Sequence, residues 1–146
     1  MRRVFQVIGW AMVVSAWLTG VAVAGASAAE IAWLGDYALA RQQASQSGRP
    51  VVIAVSSRGC GWCLELDRTT FRDPRVIQEL NGQTIPLKID MNDPAYSAVV
   101  EALGVQGVPT LAVIAPDGRI VANRSGYLDA PQFLAWLRPV VGSTSR

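Results

Sequence analysis

The chain has 146 residues, 51% hydrophobic and 16% charged, a composition that favours a globular domain over a disordered chain. Two arginines at positions 2 and 3 supply the whole net charge of +2, so the remainder is neutral and no polyanionic partner such as a nucleic acid is indicated. The chain contains no histidine, which excludes histidine acid–base chemistry, Ser/His and Cys/His catalytic pairs, and the commonest metal ligand.

Residues 1–29 have the pattern of an export segment. Two arginines precede an apolar run at 4–24, and the small residues that follow fit a signal peptidase site at 26–28 or 27–29. The apolar run is also long enough to span a bilayer, so an uncleaved membrane anchor is the alternative. Both interpretations place one domain, residues 30–146, outside the cytoplasm, and in the periplasm if the source is a Gram-negative bacterium.

After residue 30, predicted helices alternate with predicted strands. Asp36 can cap a first helix that Gly48 ends, and Asp-Pro at 73–74 and 93–94 is typical of two further helix starts. A last helix is predicted at 128–141, followed by a frayed tail. Apolar or β-branched runs predict strands at 51–57, 84–91, 108–116 and 119–126, the last two joined by a tight Asp-Gly turn. This order predicts an α/β fold, with a central mixed four-stranded sheet and helices on both faces.

Cys60 and Cys63 are the only cysteines, and they stand between the first strand and a predicted helix. As a structural clasp, a bridge between them would close a very short loop and add only about 2 kcal/mol. A tetrahedral zinc site needs four ligands, and the chain supplies two cysteines and no histidine. Cu(I), however, could accept two thiolates.

A redox pair fits both the spacing and the position of these cysteines. Cys60 would lie at a helix N-terminus, where unpaired N–H groups stabilise the attacking thiolate. Cys63, one turn into the helix, would be less exposed and could resolve a mixed disulfide. Between them, Gly61 would let the backbone turn tightly, and Trp62 could shield the pair or contact a partner.

A second element lies far along the chain, where "GVPT" at 107–110 places a proline at the start of a strand. With this order of elements, "CGWC" after a buried strand and "GVPT" resemble the thioredoxin superfamily over residues 49–138. Within that superfamily, the stretches 60–80 and 107–137 resemble the C-terminal periplasmic domain of thiol:disulfide interchange protein DsbD and its small exported relatives.

This resemblance implies roles for particular residues. Cys60 would attack, Cys63 would resolve, and the two would form the redox-active disulfide. Pro109, in a cis peptide bond, would face the pair and help to bind the partner, with Val108 and Thr110 flanking it.

One position departs from the family pattern. The family usually has a buried acid six residues before the first cysteine, and this chain has Ala54 there. Asp67, four residues after Cys63 and on the same helical face, is the candidate substitute that would accept the Cys63 proton; the DsbD-like domains carry an acid at the matching place. The alternative is that Asp67 and Glu65 are charges on a solvated helix. Arg58 is predicted to be a surface residue or a neighbour of the Cys60 thiolate.

The sequence therefore predicts an exported thiol:disulfide oxidoreductase that needs no cofactor or metal. It would exchange its dithiol or disulfide with protein thiols and disulfides, a membrane electron donor among them. Because no histidine lies between the cysteines, and because the resemblance is to a reducing domain, a reductant or electron relay is favoured over an oxidant. The alternative is a thioredoxin-like binding module or a Cu(I) carrier.

Overall fold

The computed structural model describes residues 30–144, so the predicted export segment and the last two residues lie outside it. Four strands form one sheet in the order β2-β1-β3-β4. β1 is parallel to β2 and antiparallel to β3, and β3 is antiparallel to β4. The strands are β1 (Val51–Ser56), β2 (Ile85–Asp90), β3 (Thr110–Ile114) and β4 (Ile120–Ser125). The predicted mixed four-stranded sheet is confirmed.

Five α-helices surround the sheet in the described part of the chain. They are α1 (Tyr37–Ser47), α2 (Gly61–Arg68), α3 (Pro74–Gln83), α4 (Ser97–Ala102) and α5 (Ala130–Thr144). Short 3₁₀ turns precede α3 and α4, at Thr70–Arg72 and Pro94–Tyr96. Asp36 and Asp73 cap α1 and α3 as predicted, and Gly48 ends α1 in the left-handed conformation.

Two details differ from the sequence prediction. The second Asp-Pro begins a 3₁₀ turn, and the α-helix itself starts only at Ser97. The predicted frayed tail is wrong as far as Thr144, because α5 continues through Gly142. Val141, buried against the core near the end of this helix, explains why the last turn stays folded.

The sheet separates two apolar layers, because successive strand residues point to opposite faces. One face is covered by α2, α3 and α5, and the other by α1 and α4. The first layer contains Val52, Ala54, Leu66, Val76, Leu80, Leu111, Val113, Phe133 and Leu137. The second contains Ala40, Ala44, Val51, Ile53, Val55, Leu87, Leu103, Ala112 and Ile114. Both faces of β1 are therefore buried, as its continuous apolar sequence predicts.

The segment before α1 covers the outer edge of β2. The Leu34 N–H donates to the Pro86 carbonyl at 2.9 Å, and the Lys88 N–H donates to the Leu34 carbonyl at 3.0 Å. These bonds satisfy backbone groups that an open edge would leave unpaired. They also hold Trp33 beside β2.

The strand register brings several loops to one end of the sheet. Ser56, at the end of β1, is in register with Asp90 at the end of β2. At the same end, Thr110 begins β3 opposite Val55 and pairs with Ser125 at the end of β4. The loops that hold the cysteines, the Val-Pro sequence and the segment after β4 therefore meet there. No helix within residues 30–144 is long and apolar enough to cross a membrane.

Candidate functional site

Cys60 and Cys63 form a disulfide at the start of α2, with their Cα atoms 5.3 Å apart. Cys60 is the N-cap of the helix, and its Sγ accepts a hydrogen bond of 3.1 Å from the Cys63 backbone N–H. Cys60 is half-buried, whereas Cys63 is only 5% exposed. The predicted positions are confirmed: a helix N–H points at the outer sulfur, and the inner sulfur is enclosed.

The turn into α2 depends on Gly59 rather than on Gly61. Gly59 has a φ of 78°, in the left-handed region that favours glycine. Gly61 is the first residue of the helix, and a Cβ there would meet nothing within 4 Å. The prediction that Gly61 makes the tight turn is therefore wrong, because the chain has already turned before Cys60. Gly61 instead leaves the surface beside the disulfide without a side chain.

A cavity of about 300 Å³ opens beside the disulfide. Its walls come from the end of β1 and from α2, and they include Ser57, Cys60, Cys63, Leu64 and Asp67. The two cysteines and Asp67 thus border one cavity. It is large enough to hold water molecules.

The carboxylate of Asp67 is bound by Lys88, the only lysine of the chain. The Lys88 ammonium donates to Oδ1 at 2.6 Å and to Oδ2 at 2.5 Å. Lys88 is the β2 partner of Ala54, so both lie on the sheet face that α2 covers. Asp67 is therefore not a free charge on a solvated helix. Lys88, the strand partner of the apolar Ala54, thus joins β2 to α2 through an ion pair with Asp67.

Pro109 lies just before β3, and the Val108–Pro109 peptide bond is cis, as predicted. Pro109 is buried, and its carbonyl accepts a hydrogen bond of 2.8 Å from the Gly126 N–H. Thr110 is fully buried, and its hydroxyl donates to the Gly107 carbonyl at 2.7 Å. The Thr110 side chain therefore fixes this loop from inside. Val108 is half-buried against the second apolar layer.

Trp62 is the most exposed large apolar side chain in the described residues, at 64%. Its ring lies 5.6 Å from that of Tyr127, measured between centroids and with a tilt of 41°. The Tyr127 hydroxyl shares a hydrogen bond of 3.0 Å with the Thr69 hydroxyl. Together with Gly61 and Glu65, the two rings border an open cleft that adjoins the disulfide. Trp62 thus forms one wall of the cleft next to Cys60.

Arg58 is exposed and lines a different cavity, with Asp90 and Asp93. Within residues 30–144, Arg58 forms no ion pair and no hydrogen bond with the Cys60 sulfur. Across the same residues, no group of three or more His, Cys, Asp or Glu side chains is arranged to hold a metal ion.

Sequence reasoning missed Lys88 and Tyr127. Lys88 carried a usable signal, since it is a lone lysine in the middle of an apolar strand in a chain whose other basic residues are arginines. Its partner could not be named without the register that places β2 under α2. Tyr127 carried no signal, because it comes next to Trp62 only through the path of the chain after β4.

Comparison with known proteins gives the thioredoxin-like fold and family that the sequence resemblance predicts. The model of the thioredoxin-like domain matches residues 37–140. The thiol:disulfide interchange protein DsbD of Haemophilus ducreyi is 33% identical over 103 residues, which cover 68% of this chain and 18% of that protein. This chain therefore spans less than a fifth of the length of that relative.

Solved structures share the fold at lower identity. A thioredoxin from Thermus thermophilus superimposes with a TM-score of 0.69 at 24% identity, covering 76% of this chain and 87% of that one. The oxidised C-terminal domain of Neisseria meningitidis DsbD superimposes with a TM-score of 0.61 at 24% identity, covering 74% and 98%. Since the family model covers the sheet, the cysteine pair and the cis proline, this chain belongs to the thioredoxin-like domain family.

Proposed function

We propose that this domain is a thiol:disulfide oxidoreductase whose Cys60–Cys63 pair exchanges with the thiols and disulfides of other proteins. The observation that carries the proposal is the disulfide at the N-cap of α2, where a helix N–H points at the sulfur of Cys60. A donor in that position stabilises the negative charge of a thiolate. Family membership supports the same chemistry.

The reduction of a partner disulfide follows from this arrangement. The Cys60 thiolate attacks one partner sulfur, so a bond forms between Cys60 and the partner and the other partner sulfur leaves as a thiolate. Cys63 then loses its proton and attacks Cys60. The bond between Cys60 and the partner breaks, the second partner thiolate leaves, and the Cys60–Cys63 disulfide forms. Oxidation of a partner is the same sequence in reverse.

Asp67 is the proposed base for the second step. Cys63 is enclosed, and its proton needs an acceptor on the protein side of the disulfide. Asp67 borders the same cavity as Cys63, whereas the Ala54 methyl cannot accept a proton. The carboxylate would take the proton directly or through a water in that cavity.

The partner surface would be formed by groups that surround Cys60. Gly61 and Trp62 lie on the α2 side, and Val108 lies on the β3 side, in the loop that Pro109 and Thr110 fix from inside. An extended partner segment would lie between them, with its disulfide over Cys60. The partners are therefore proteins, and a membrane electron donor is among the candidates.

We further propose that the domain works as a reductant or electron relay outside the cytoplasm. The two residues between the cysteines, Gly61 and Trp62, carry no charge, so neither adds to the stabilisation of the thiolate that makes an oxidant strong. Export is supported by the pattern of residues 1–29.

Turnover of an insulin-like polypeptide disulfide, with dithiothreitol as the electron source, tests the activity. The parent protein should accelerate reduction of the polypeptide, and Cys60→Ser should be inactive. In Cys63→Ser, Cys60 should attack once and turnover should then stop, since this variant cannot release the partner. Equal rates in the parent and in Cys60→Ser would refute the function.

A further inference from the structure

The open cleft beside the disulfide has a polarity that its residues and their hydrogen bonds determine. This aromatic cleft has a volume of about 520 Å³ and is lined by Gly61, Trp62, Glu65 and Tyr127. We propose that the aromatic cleft binds a basic side chain of the partner, an arginine or lysine that stands close to the reacting cysteine in the partner's sequence. This inference rests on the proposed function and adds a substrate class to it, namely protein disulfides with a basic residue nearby.

Two linked hydroxyl groups fix the polarity of the Tyr127 side. The Thr69 hydroxyl donates to the Glu65 carbonyl at 2.8 Å, and it also lies 3.0 Å from the Tyr127 hydroxyl. A threonine hydroxyl has one hydrogen, and a carbonyl oxygen can only accept. The hydroxyl hydrogen of Tyr127 is therefore directed at Thr69, and the Tyr127 oxygen is left with the role of an acceptor. An acceptor in this position suits an N–H donor of a guanidinium or ammonium group.

Glu65 adds a negative charge to the same cleft. It is half-buried, and within residues 30–144 its carboxylate forms neither an ion pair nor a hydrogen bond. Arg68, three residues further along α2, lies on the same side of the helix. It does not line the cleft, however, and it forms no ion pair with Glu65. The charge of Glu65 is therefore available to a cation that a partner supplies.

Two aromatic rings complete the cleft. The Trp62 and Tyr127 rings lie 5.6 Å apart between centroids, with a tilt of 41° between their planes. Tyr127 packs against the first apolar layer, whereas Trp62 is 64% exposed. The face of an aromatic ring carries partial negative charge and attracts cations, a guanidinium more often than an ammonium. The rings, the carboxylate and the hydroxyl oxygen thus favour one class of side chain, and an acidic side chain would be repelled by Glu65.

The spacing along α2 indicates where the basic residue stands in the partner. Glu65 follows Cys60 by five residues, which corresponds to about 7.5 Å along the helix axis. Two residues of an extended segment cover about 6.6 Å. When the partner's cysteine lies over Cys60 and its backbone follows α2, the residue two positions from that cysteine therefore reaches Glu65. Gly61, which has no side chain, leaves room for that backbone.

Peptide disulfides that differ in one side chain test this inference. Each is a symmetrical dimer of a short peptide, joined through its one cysteine, with arginine or the neutral analogue citrulline two residues before or two residues after that cysteine. The rate constant for reduction by the reduced protein is divided by the rate constant with dithiothreitol, which corrects for the effect of arginine on the disulfide itself. For one of the two placements, the arginine peptide should react roughly 5-fold faster than the citrulline peptide, as expected for an exposed ion pair combined with a cation–π contact.

Variants of the chain test whether the aromatic cleft is the source of this preference. Glu65→Gln should reduce the preference for arginine to about 2-fold, because the ion pair is lost while the rings remain. Trp62→Ala should reduce it to a similar extent, because the ring is lost while the carboxylate remains. Glu101→Gln removes a carboxylate from an exposed position on α4, where it forms no ion pair, and should keep the parental preference.

The outcomes separate this inference from the proposed function. If the parent reduces the arginine and citrulline peptides at equal corrected rates in both placements, the inference is wrong and the proposed function stands. A preference that Glu65→Gln retains in full would overturn the inference too. So would an equal loss of preference in Glu101→Gln, since the net charge of the protein would then explain it. If the parent reduces neither peptide, the proposed function itself is wrong.

Discussion

At the scale of single residues, the two cysteines differ through their places on α2. The sulfur of Cys60 lies at the helix end and receives an N–H, while Cys63 is enclosed by the core. Alkylation of the reduced protein near neutral pH should therefore modify Cys60 first, because a reagent reaches the stabilised, outer thiolate. Peptide mass spectrometry after brief exposure to iodoacetamide gives the order. Earlier labelling of Cys63 would reverse the assignment of the two roles.

Asp67 gives a second prediction at this scale. Asp67→Asn keeps the size of the side chain and removes the base, so the resolving step should slow roughly 100-fold while attack by Cys60 is nearly unchanged. Stopped-flow with a model disulfide follows both steps. Glu101→Gln, a change of the same kind at an exposed position on α4, should leave both rates as they are. Resolution at the parental rate in Asp67→Asn between pH 6 and 8 would mean that the proton leaves to water.

Trp62 should matter for protein partners and not for small disulfides. It is 64% exposed beside the disulfide, and a polypeptide segment would bury it, whereas a small reagent reaches Cys60 without touching it. Trp62→Ala should lower kcat/KM for a polypeptide disulfide about 10-fold or more, in the range of a buried aromatic contact. The rate with a small aromatic disulfide should stay unchanged. Leu39→Ala, at an exposed apolar residue on α1, is the control and should leave both rates unchanged. If Trp62→Ala lowers the rate equally with the polypeptide and the small disulfide, Trp62 does not have this role.

Part of the site could be predicted from local sequence motifs, and the rest depended on how the strands are paired in the sheet. The cysteine positions and the cis bond before Pro109 were readable because motif and order of elements were both present. The ion pair of Asp67 was not, because a neighbour across α2 and β2 depends on which strand face α2 covers. Thr110 shows the opposite limit: it flanks Pro109 in sequence, yet its side chain points into the protein.

At the scale of elements, the start of α3 shows how one side chain fixes a helix end. Asp73 caps α3: its carboxylate accepts the Arg75 N–H at 2.8 Å and is held by the Arg75 guanidinium. The side-chain bond to Arg75 lowers the pKa of Asp73 from 3.8 to about 2. A carboxyl whose pKa is lower in the folded than in the unfolded state stabilises the fold above its ordinary pKa. That stabilisation is lost as the pH falls through the folded value.

Asp73→Ala should therefore lower the free energy of unfolding by about 1 kcal/mol at pH 7, chiefly through loss of the cap. The difference from the parent should shrink as the pH falls from 3.8 towards 2. Asp73→Asn should retain part of the stability, because an amide oxygen can still cap the helix. Urea unfolding at several pH values measures these differences. A deficit in Asp73→Ala that is the same at pH 2 and pH 7 would contradict the ionic part of this account.

Element types were easier to predict than element ends. The strands followed from apolar runs and α3 followed from its Asp-Pro start, since both are local signals. The C-terminal helix ran past its predicted end because burial of Val141 is a tertiary contact. The turn glycine was assigned to 61 rather than 59, because the first helical residue was not known until the N-cap was located.

At the scale of the whole molecule, the sheet gathers three loops around one disulfide. Its two apolar layers fix β1 from both sides, so the loop after Ser56 starts from a rigid strand. No charged side chain lies between the cysteines, and the nearby cation, Lys88, is bound to Asp67. We therefore expect a potential nearer to the thioredoxin value of about −270 mV than to the −120 mV of a strong oxidant. Equilibration with glutathione buffers measures it, and a value near the oxidant end would contradict the reductant role.

The central claim is that Cys60 forms a covalent bond with a partner and that Cys63 breaks it. Incubation of reduced Cys63→Ser with a polypeptide disulfide, followed by intact-mass and peptide mass spectrometry, tests this most directly. The account predicts a stable adduct of one partner per chain, joined through Cys60, and no lasting adduct in the parent, where Cys63 resolves it. If Cys63→Ser forms no adduct while its fold is intact, or if Cys60→Ser forms the same adduct through Cys63, the account is wrong.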